Sequence, residues 1–378
     1  MRRHGLPGDY NECFFHAVAR GPPESGPARA LRTFSLMSHH PPRSTIADVA
    51  RHAGVSKATV SRFLNHRDTL LSPEIAQRVE AAIAALVYTP SPMARALKRG
   101  RSRLIGLVVA DITNPYSVAV LKGAEQACRQ AGYLMMLFNL DNERERESEG
   151  LQVLSSYRVE GFILNTMGLE QGAALSPALG GRPVVLVDRL HQGLEVDFVS
   201  LDNVQAIDAC FDHLMAAGYR DILLATEPLG SVSSRIERVR AFDARLATQG
   251  PQARGRSIEV GADDAERLTR TLRNLRDAGR PPPAVIAGNS IVSMRVVAAA
   301  ARLGWRLGPD LGLISIDDTP WAPYVGSGIS AVAQPTDALG GRAAQCLIER
   351  IGGLAVPARS IRLPGTLIAR GSTQPQAA

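Results

Sequence analysis

The sequence predicts an α/β protein with a small all-helical head, and three observations carry that prediction. Its 378 residues exceed what one compact core holds, so two or three domains are expected. Basic charge gathers near the N-terminus: residues 44–103 hold ten Lys and Arg against four Asp and Glu, whereas everything after Arg103 holds 27 against 29. Beyond Arg103, short apolar runs alternate with helical segments, the signature of parallel strands joined by crossover helices.

Residues 1–43, rich in Gly, Pro, Arg and Ser, read as a disordered tail or as a start codon placed too early, with Met37 the better start. At Thr45 the texture changes. Thr45 and Asp48 have capping-box spacing, and the helix IADVARHA that follows puts Ile46, Val49, Ala50 and Ala53 on one face. Gly54 supplies a turn, and Ser56 caps a second helix, KATVSRFLN. Two short helices joined by a Gly-containing turn, the second basic and polar on one side, make a helix-turn-helix. Ser72-Pro73-Glu74 opens a third helix reaching Tyr88, with Pro at the favoured first position. Such helices also build plain bundles; the basic charge tips this one toward nucleic acid.

In the body, LIGLVVA, YLMMLFN, GFILN, PVVLVD, DILLAT, AVIAG and LGLISI read as strands. SVAVLKGAEQACRQAG, ERERESEGLQVLSSY, AIDACFDHLMAAG and SIVSMRVVAAAARLG read as helices between them. Open α/β sheets offer a ligand crevice at the carboxyl ends of their strands. No G-x-G-x-x-G follows the first strand, and no G-x-S-x-G, H-E-x-x-H, Walker A or C-x-x-C motif occurs, so neither an enzyme nor a cofactor is expected. Cys13, Cys128, Cys210 and Cys346 lie far apart, which fits a reducing cytoplasm and supports no disulfide framework and no metal site. No apolar stretch reaches membrane-helix length and no secretory h-region opens the chain.

The string TIADVARHAGVSKATVSRFLN, followed by RVEAAIAALVYTPSPMARALKRGRSRLIGLVV, resembles the head and hinge of the lactose/purine repressor (LacI-type) family. The resemblance continues through DITNPY, RVEGFIL, VVLVDR, LDN, HLMAAGYRDILL, DLGLISIDD and AVAQP, in order, over about residues 45–370. It implies a helix-turn-helix head over residues 44–90 and a hinge helix and linker over 91–103. After these come an effector-binding and dimerisation core over 104–370 and a tail over 371–378. The core would consist of two doubly wound α/β subdomains, like those of periplasmic sugar-binding proteins, hinged by three crossovers. The partners implied are palindromic double-stranded operator DNA, a small sugar or sugar acid, and a second copy of the chain. DDTPWAPYV and SLDNVQAIDACFDHL are most similar to the branch that senses gluconate and 2-ketogluconate. A sugar-binding protein without a DNA role, and a repressor answering to a neutral sugar or a purine, stay open as alternatives.

By that resemblance Lys57, Ala58 and Arg62 fall where base edges are read, Arg62 foremost because its fork matches guanine O6 and N7. Ser56, Thr59, Ser61 and Asn65 are expected on phosphates. Leu97 would be the wedge that the hinge helix inserts into the minor groove, flanked by Arg95 and Lys98. The resemblance places Asn114, Tyr116, Asp188, Asp202, Asn289 and Asp317 at strand ends facing effector, and Arg238 with them in the helix following EPLGSVSSR. Arg235 competes with Arg238, and Asp202 is expected either to orient the arginine or to cap a helix. Trp321 either stacks on a sugar ring or packs under its loop, the second being favoured. Ser117 stands where an aromatic often follows the family's NP-aromatic motif, which would loosen one wall. VGSGIS replaces a more usual proline-bearing stretch.

Overall fold

A computed structural model describes residues 44–65, 71–89, 101–167, 172–276 and 281–374. The chain divides into two units at Thr89–Pro90. The first contains α1 (Ile46–Ala53), α2 (Lys57–Asn65) and α3 (Pro73–Ala85). Thr45 caps α1 with both halves of the capping box: its hydroxyl accepts from the Asp48 amide, and Asp48 accepts from the Thr45 amide. Gly54 ends α1 at φ 63°, a left-handed position where a Cβ would strain the backbone. Val49, Ala50, Ala53, Val60, Phe63, Val79 and Ala82 form the core of the three helices. α3 stops at Ala85, three residues short of the predicted Tyr88; Val87, at φ 46°, breaks the helical backbone.

The second unit holds two six-stranded sheets. The strands of the first are β1 (Leu104–Val109), β2 (Leu134–Asn139), β3 (Gly161–Asn165), β4 (Val184–Val187), β5 (Asp197–Leu201) and, much later in the chain, β11 (Ser360–Leu363). They lie in the order β11-β5-β4-β3-β1-β2, and each pairs in parallel with its neighbours. Helix α4 (Pro115–Gln130) and helix α11 (Thr336–Ile351) cover one face over Leu107, Ile163, Val185 and Val199. On the other face, α5 (Arg146–Ser156) and the single turn α6 (Ser176–Leu179) cover Val108, Phe162, Leu164 and Leu186. Burial of both faces is why these strands are uninterrupted apolar runs rather than alternating ones.

β6 (Asp221–Thr226), β7 (Arg254–Glu259), β8 (Ala284–Ala287), β9 (Gly312–Ile316), β10 (Ser330–Ala333) and β12 (Thr366–Ile368) form the second sheet. Its order is β12-β10-β9-β8-β6-β7, with β12 antiparallel at the edge. Helices α7 (Asn203–Ala216) and α8 (Ser233–Gln249) pack on one face, and α9 (Ala265–Arg276) and α10 (Ser290–Arg302) on the other. The chain passes between sheets three times: from β5 into α7, from β10 into α11, and from β11 to β12. Order runs past the expected limit at Arg370. Residues 371–373 form a 3-10 turn in which Ser372 is buried and donates to the Leu313 carbonyl at 2.5 Å. Loss of that bond would strand a buried hydroxyl, so these residues belong to the second subdomain rather than to a tail.

Candidate functional site

Tyr116, Asp188, Arg238 and Asp317 form one electrostatic neighbourhood at the carboxyl ends of the two sheets, with Tyr116 feeling the other three. Asn114 caps α4, accepting from the Tyr116 amide at 3.0 Å, which fixes the first turn and turns the Tyr116 side chain inward. The Tyr116 hydroxyl is buried with no hydrogen-bond partner. Burial first, then the Asp188 and Asp317 carboxylates, hold its pKa well above the usual phenol value. It therefore stays a neutral donor.

Asp188 follows β4 and Asp317 follows β9, at φ 66° and 94°, backbone positions rare for residues with a side chain. Strain of this kind is maintained where function needs a side chain aimed in one direction. Asp188 Oδ2 accepts from Arg189 Nε (3.3 Å) and Ser234 Oγ (3.2 Å), leaving Oδ1 buried and without a hydrogen bond. Asp317 accepts from the Ser290 amide (3.1 Å) and Gln334 Nε2 (2.6 Å), and burial pushes its pKa up.

Arg238, on α8, is 5% exposed. Nε donates to Asn203 Oδ1 at 2.8 Å, one Nη to the Gly288 carbonyl at 2.6 Å, and the other Nη lies 3.9 Å from Asp188 Oδ1. Arg235 donates to the Pro228 carbonyl (2.7 Å) and to Glu227 (2.6 Å). Burial lowers its pKa, partly offset by Glu227. Asn289 caps α10 and donates to the same Glu227 oxygen at 2.6 Å. Arg238 sits among the strand-end carboxylates, and Arg235 lies near enough to feel both Asp188 and Arg238. Ser290, Ser293, Thr319 and Gln334 add further buried polar atoms without partners on the second subdomain's side. Buried orphans are rare in folded chains, and here they gather where two subdomains face each other: Ser233 Oγ accepts from the Leu190 amide at 2.9 Å across that line.

Of its two expected roles Asp202 takes the cap, accepting at the start of α7 from the Gln205 amide at 3.0 Å; the residue that orients Arg238 is its neighbour Asn203, whose amide both accepts and donates where a carboxylate only accepts. Ser117 is buried and bonds Asn165 Oδ1 at 3.4 Å. Trp321 packs with Leu307, Val325 and the α10 side of the second core. An open groove of about 590 Å³ near Trp305 and Val325 is lined largely by apolar side chains, together with Arg306, Ser327 and Gln374.

Three features escaped the sequence reading: Asn203, Glu227 and a buried group beside the crevice. In that group His191 Nε2 lies 2.8 Å from Thr166 Oγ1 and 3.4 Å from Glu147 Oε1. Nothing in the local sequence marks these residues, because they meet only once three separate strand and helix ends converge.

In the head, Ser56, Lys57, Ala58, Arg62 and Asn65 are exposed, while Thr59 and Ser61 are half-buried. Ser56 Oγ accepts from the Thr59 amide at 3.1 Å and so caps α2. Arg78 Nη2 donates to the Ala53 carbonyl at 2.5 Å and locks the inter-helix turn. Exposed polar groups along one side of α2 suit a helix lying in a major groove. Arg95, Leu97 and Lys98 lie outside the described residues.

Comparison with known proteins decides what this combination is. Residues 45–91 match bacterial regulatory proteins of the lacI family, and residues 211–373 match a periplasmic binding protein-like domain. The HTH-type transcriptional regulator PtxS of Pseudomonas plecoglossicida is 47% identical over 333 residues, 88% of this chain and 96% of the relative. The chain belongs to the lacI family. It is also 38% identical to the transcriptional regulator KdgR of Bacillus subtilis, over 87% of this chain and 97% of that one. Among solved structures, the lac repressor dimer bound to operator and an anti-inducer matches with a TM-score of 0.77 at 25% identity, covering 87% of this chain and 99% of that one. As a lacI-family member it is a DNA-binding transcriptional repressor, and no helix among the described residues is long and apolar enough to cross a membrane.

Proposed function

We propose that this repressor acts in the cytoplasm as a homodimer on a palindromic operator, and that a sugar acid, 2-ketogluconate or gluconate, sets its operator affinity. The observation that carries the reading is Arg238 held 3.9 Å from Asp188, with an orphaned Tyr116 hydroxyl and orphaned Asp188 Oδ1 in the same crevice. A guanidinium suits a carboxylate or a vicinal diol; carboxylates and neutral hydroxyl donors suit the hydroxyls of the remaining carbon chain. Exposed Lys57, Ala58 and Arg62 read bases, and Ser56, Thr59, Ser61 and Asn65 hold phosphates. Leu97, with Arg95 and Lys98 beside it, serves as the minor-groove wedge.

An effector shifts the repressor only by binding one arrangement of the subdomains better than another. Closure over the crevice would alter dimer geometry so that both hinge elements no longer engage DNA. Calorimetric titration with 2-ketogluconate, gluconate, ribose and a purine base, on the wild type and Arg238→Ala, tests the reading. Micromolar heat from a sugar acid that disappears in the variant is the expected result. Heat from ribose or the purine alone would discard the sugar acid while keeping the repressor.

A further inference from the structure

We propose that Asn203 and Glu237 are positioning residues that tie Arg238 to Arg362 on crossover strand β11, so that the seating of the crevice arginine and the angle between subdomains are one coupled variable. This rests on the reading of Arg238 as an effector group, and asks how its position is transmitted.

The connection is continuous. Arg238 Nε donates to Asn203 Oδ1 at 2.8 Å, and Asn203 Nδ2 donates to Glu237 Oε2 at 2.8 Å. Arg362 then grips Glu237 with both terminal nitrogens, at 2.8 Å to each oxygen. Asn203 is fully buried and uses the two ends of its amide in opposite senses, so a flip would lose both bonds. Burial raises the Glu237 carboxyl, but hydrogen bonds from Arg362 and Asn203 together bring it below the usual range, keeping it ionised.

The ends of this chain of bonds belong to different subdomains. Arg362 pairs with Ser200 in the first sheet, and its guanidinium lies 5.8 Å from the Phe198 ring centroid. Glu237 sits on α8, which packs on the second sheet. Asn203 begins α7 immediately after the chain crosses from β5. A two-pronged guanidinium–carboxylate pair tolerates little angular error. Rotation of one subdomain against the other therefore loosens Glu237, then Asn203, then Arg238. By linkage, a ligand that fixes Arg238 favours the angle at which the Arg362 pair is whole.

The test uses the full chain and Glu237→Gln, Arg362→Met, the double variant, and Arg245→Met. Arg245 joins α8 to Asp208 and Asp212 on α7 away from the relay, so it controls for simple weakening of the same helices. Calorimetry with 2-ketogluconate should show each relay variant losing affinity on the order of tenfold. The double variant should lose no more than the worse single one, and Arg245→Met should stay within about twofold while melting earlier. Multiplicative losses in the double variant, or an equal loss in Arg245→Met, would overturn the relay. Amide hydrogen exchange without ligand provides an independent arm. Both relay variants should speed exchange in residues 233–240 and 287–290, and a change confined to β11 would overturn the proposal. If the wild type ignores every sugar acid, the effector reading fails, and the exchange result still decides the relay.

Discussion

Replacing Glu147 by Gln probes the electrostatics beside the crevice. Glu147, on α5, is 1% exposed, and Thr166 and Arg144 only partly offset the burial of its carboxylate. Burial pushes its pKa from 4.5 up to about 7, and pushes that of His191, 3.4 Å away, down to about 4. A carboxyl whose folded value is raised holds its proton more tightly folded than unfolded. Its contribution is best below about 4.5 and is lost as pH climbs through 7. That interval corresponds to about 3 kcal/mol at most. His191 works in the opposite sense, destabilising as pH falls from 6.5 toward 4, so the two slopes oppose each other in mildly acidic solution. Gln cannot ionise. The variant should gain about 2–3 kcal/mol on the wild type between pH 5 and pH 8, read as a melting-temperature difference that grows with pH. Any packing cost of the amide is the same at both pH values and drops out of the comparison. A difference that stays constant from pH 5 to 8, or moves against the variant, would refute the claim that Glu147 is held protonated by burial.

Three other outcomes are expected. Arg62→Ala should weaken operator binding by about 1–3 kcal/mol in fluorescence anisotropy and leave effector heat unchanged. Tyr116→Phe removes a hydroxyl that has no partner in the folded chain, so the melting temperature should hold or rise while effector affinity falls about three- to tenfold; a drop in stability would show the hydroxyl is already satisfied. Gly340→Ala would bring a Cβ to 2.1 Å from the Val120 carbonyl oxygen and 2.6 Å from the Ala124 nitrogen. Forcing α4 and α11 apart should cost about 1–3 kcal/mol in thermal unfolding.

Local signals made much of the fold legible. Thr45 and Asp48 announce α1 because a capping box needs only neighbouring residues, and GFILN or VVLV announce buried strands because both faces must be apolar. β7 was not legible: RGRSIE lies at a sheet edge with its first three residues exposed, so no apolar run marks it. β11 and β12 were missed for a related reason, being short, late and half-exposed. At the crevice, the resemblance named Arg238, Arg235, Asp188 and Asp317, which the fold brings close together, while Glu227, which grips Arg235, is a residue no motif singles out. That Asp202 caps α7 while Asn203 meets the arginine is a matter of helix phase that adjacent letters do not reveal.

The three passages of the chain between sheets have a consequence for how the molecule is made. α11 supplies Leu339, Ala343, Ala344 and Leu347 to the first subdomain's core, and β12 and Ser372 complete the second. A ribosome emitting the chain from its N-terminus therefore finishes neither half early: five strands of the first sheet are out by Leu201, yet the face that α11 covers waits for Ile351. Both subdomains close only once residues 336–373 have been made. A chain cut short at Pro335 would leave the first sheet without α11 over one face and the second without its edge strand β12, and exposed apolar surface of that kind is what aggregates.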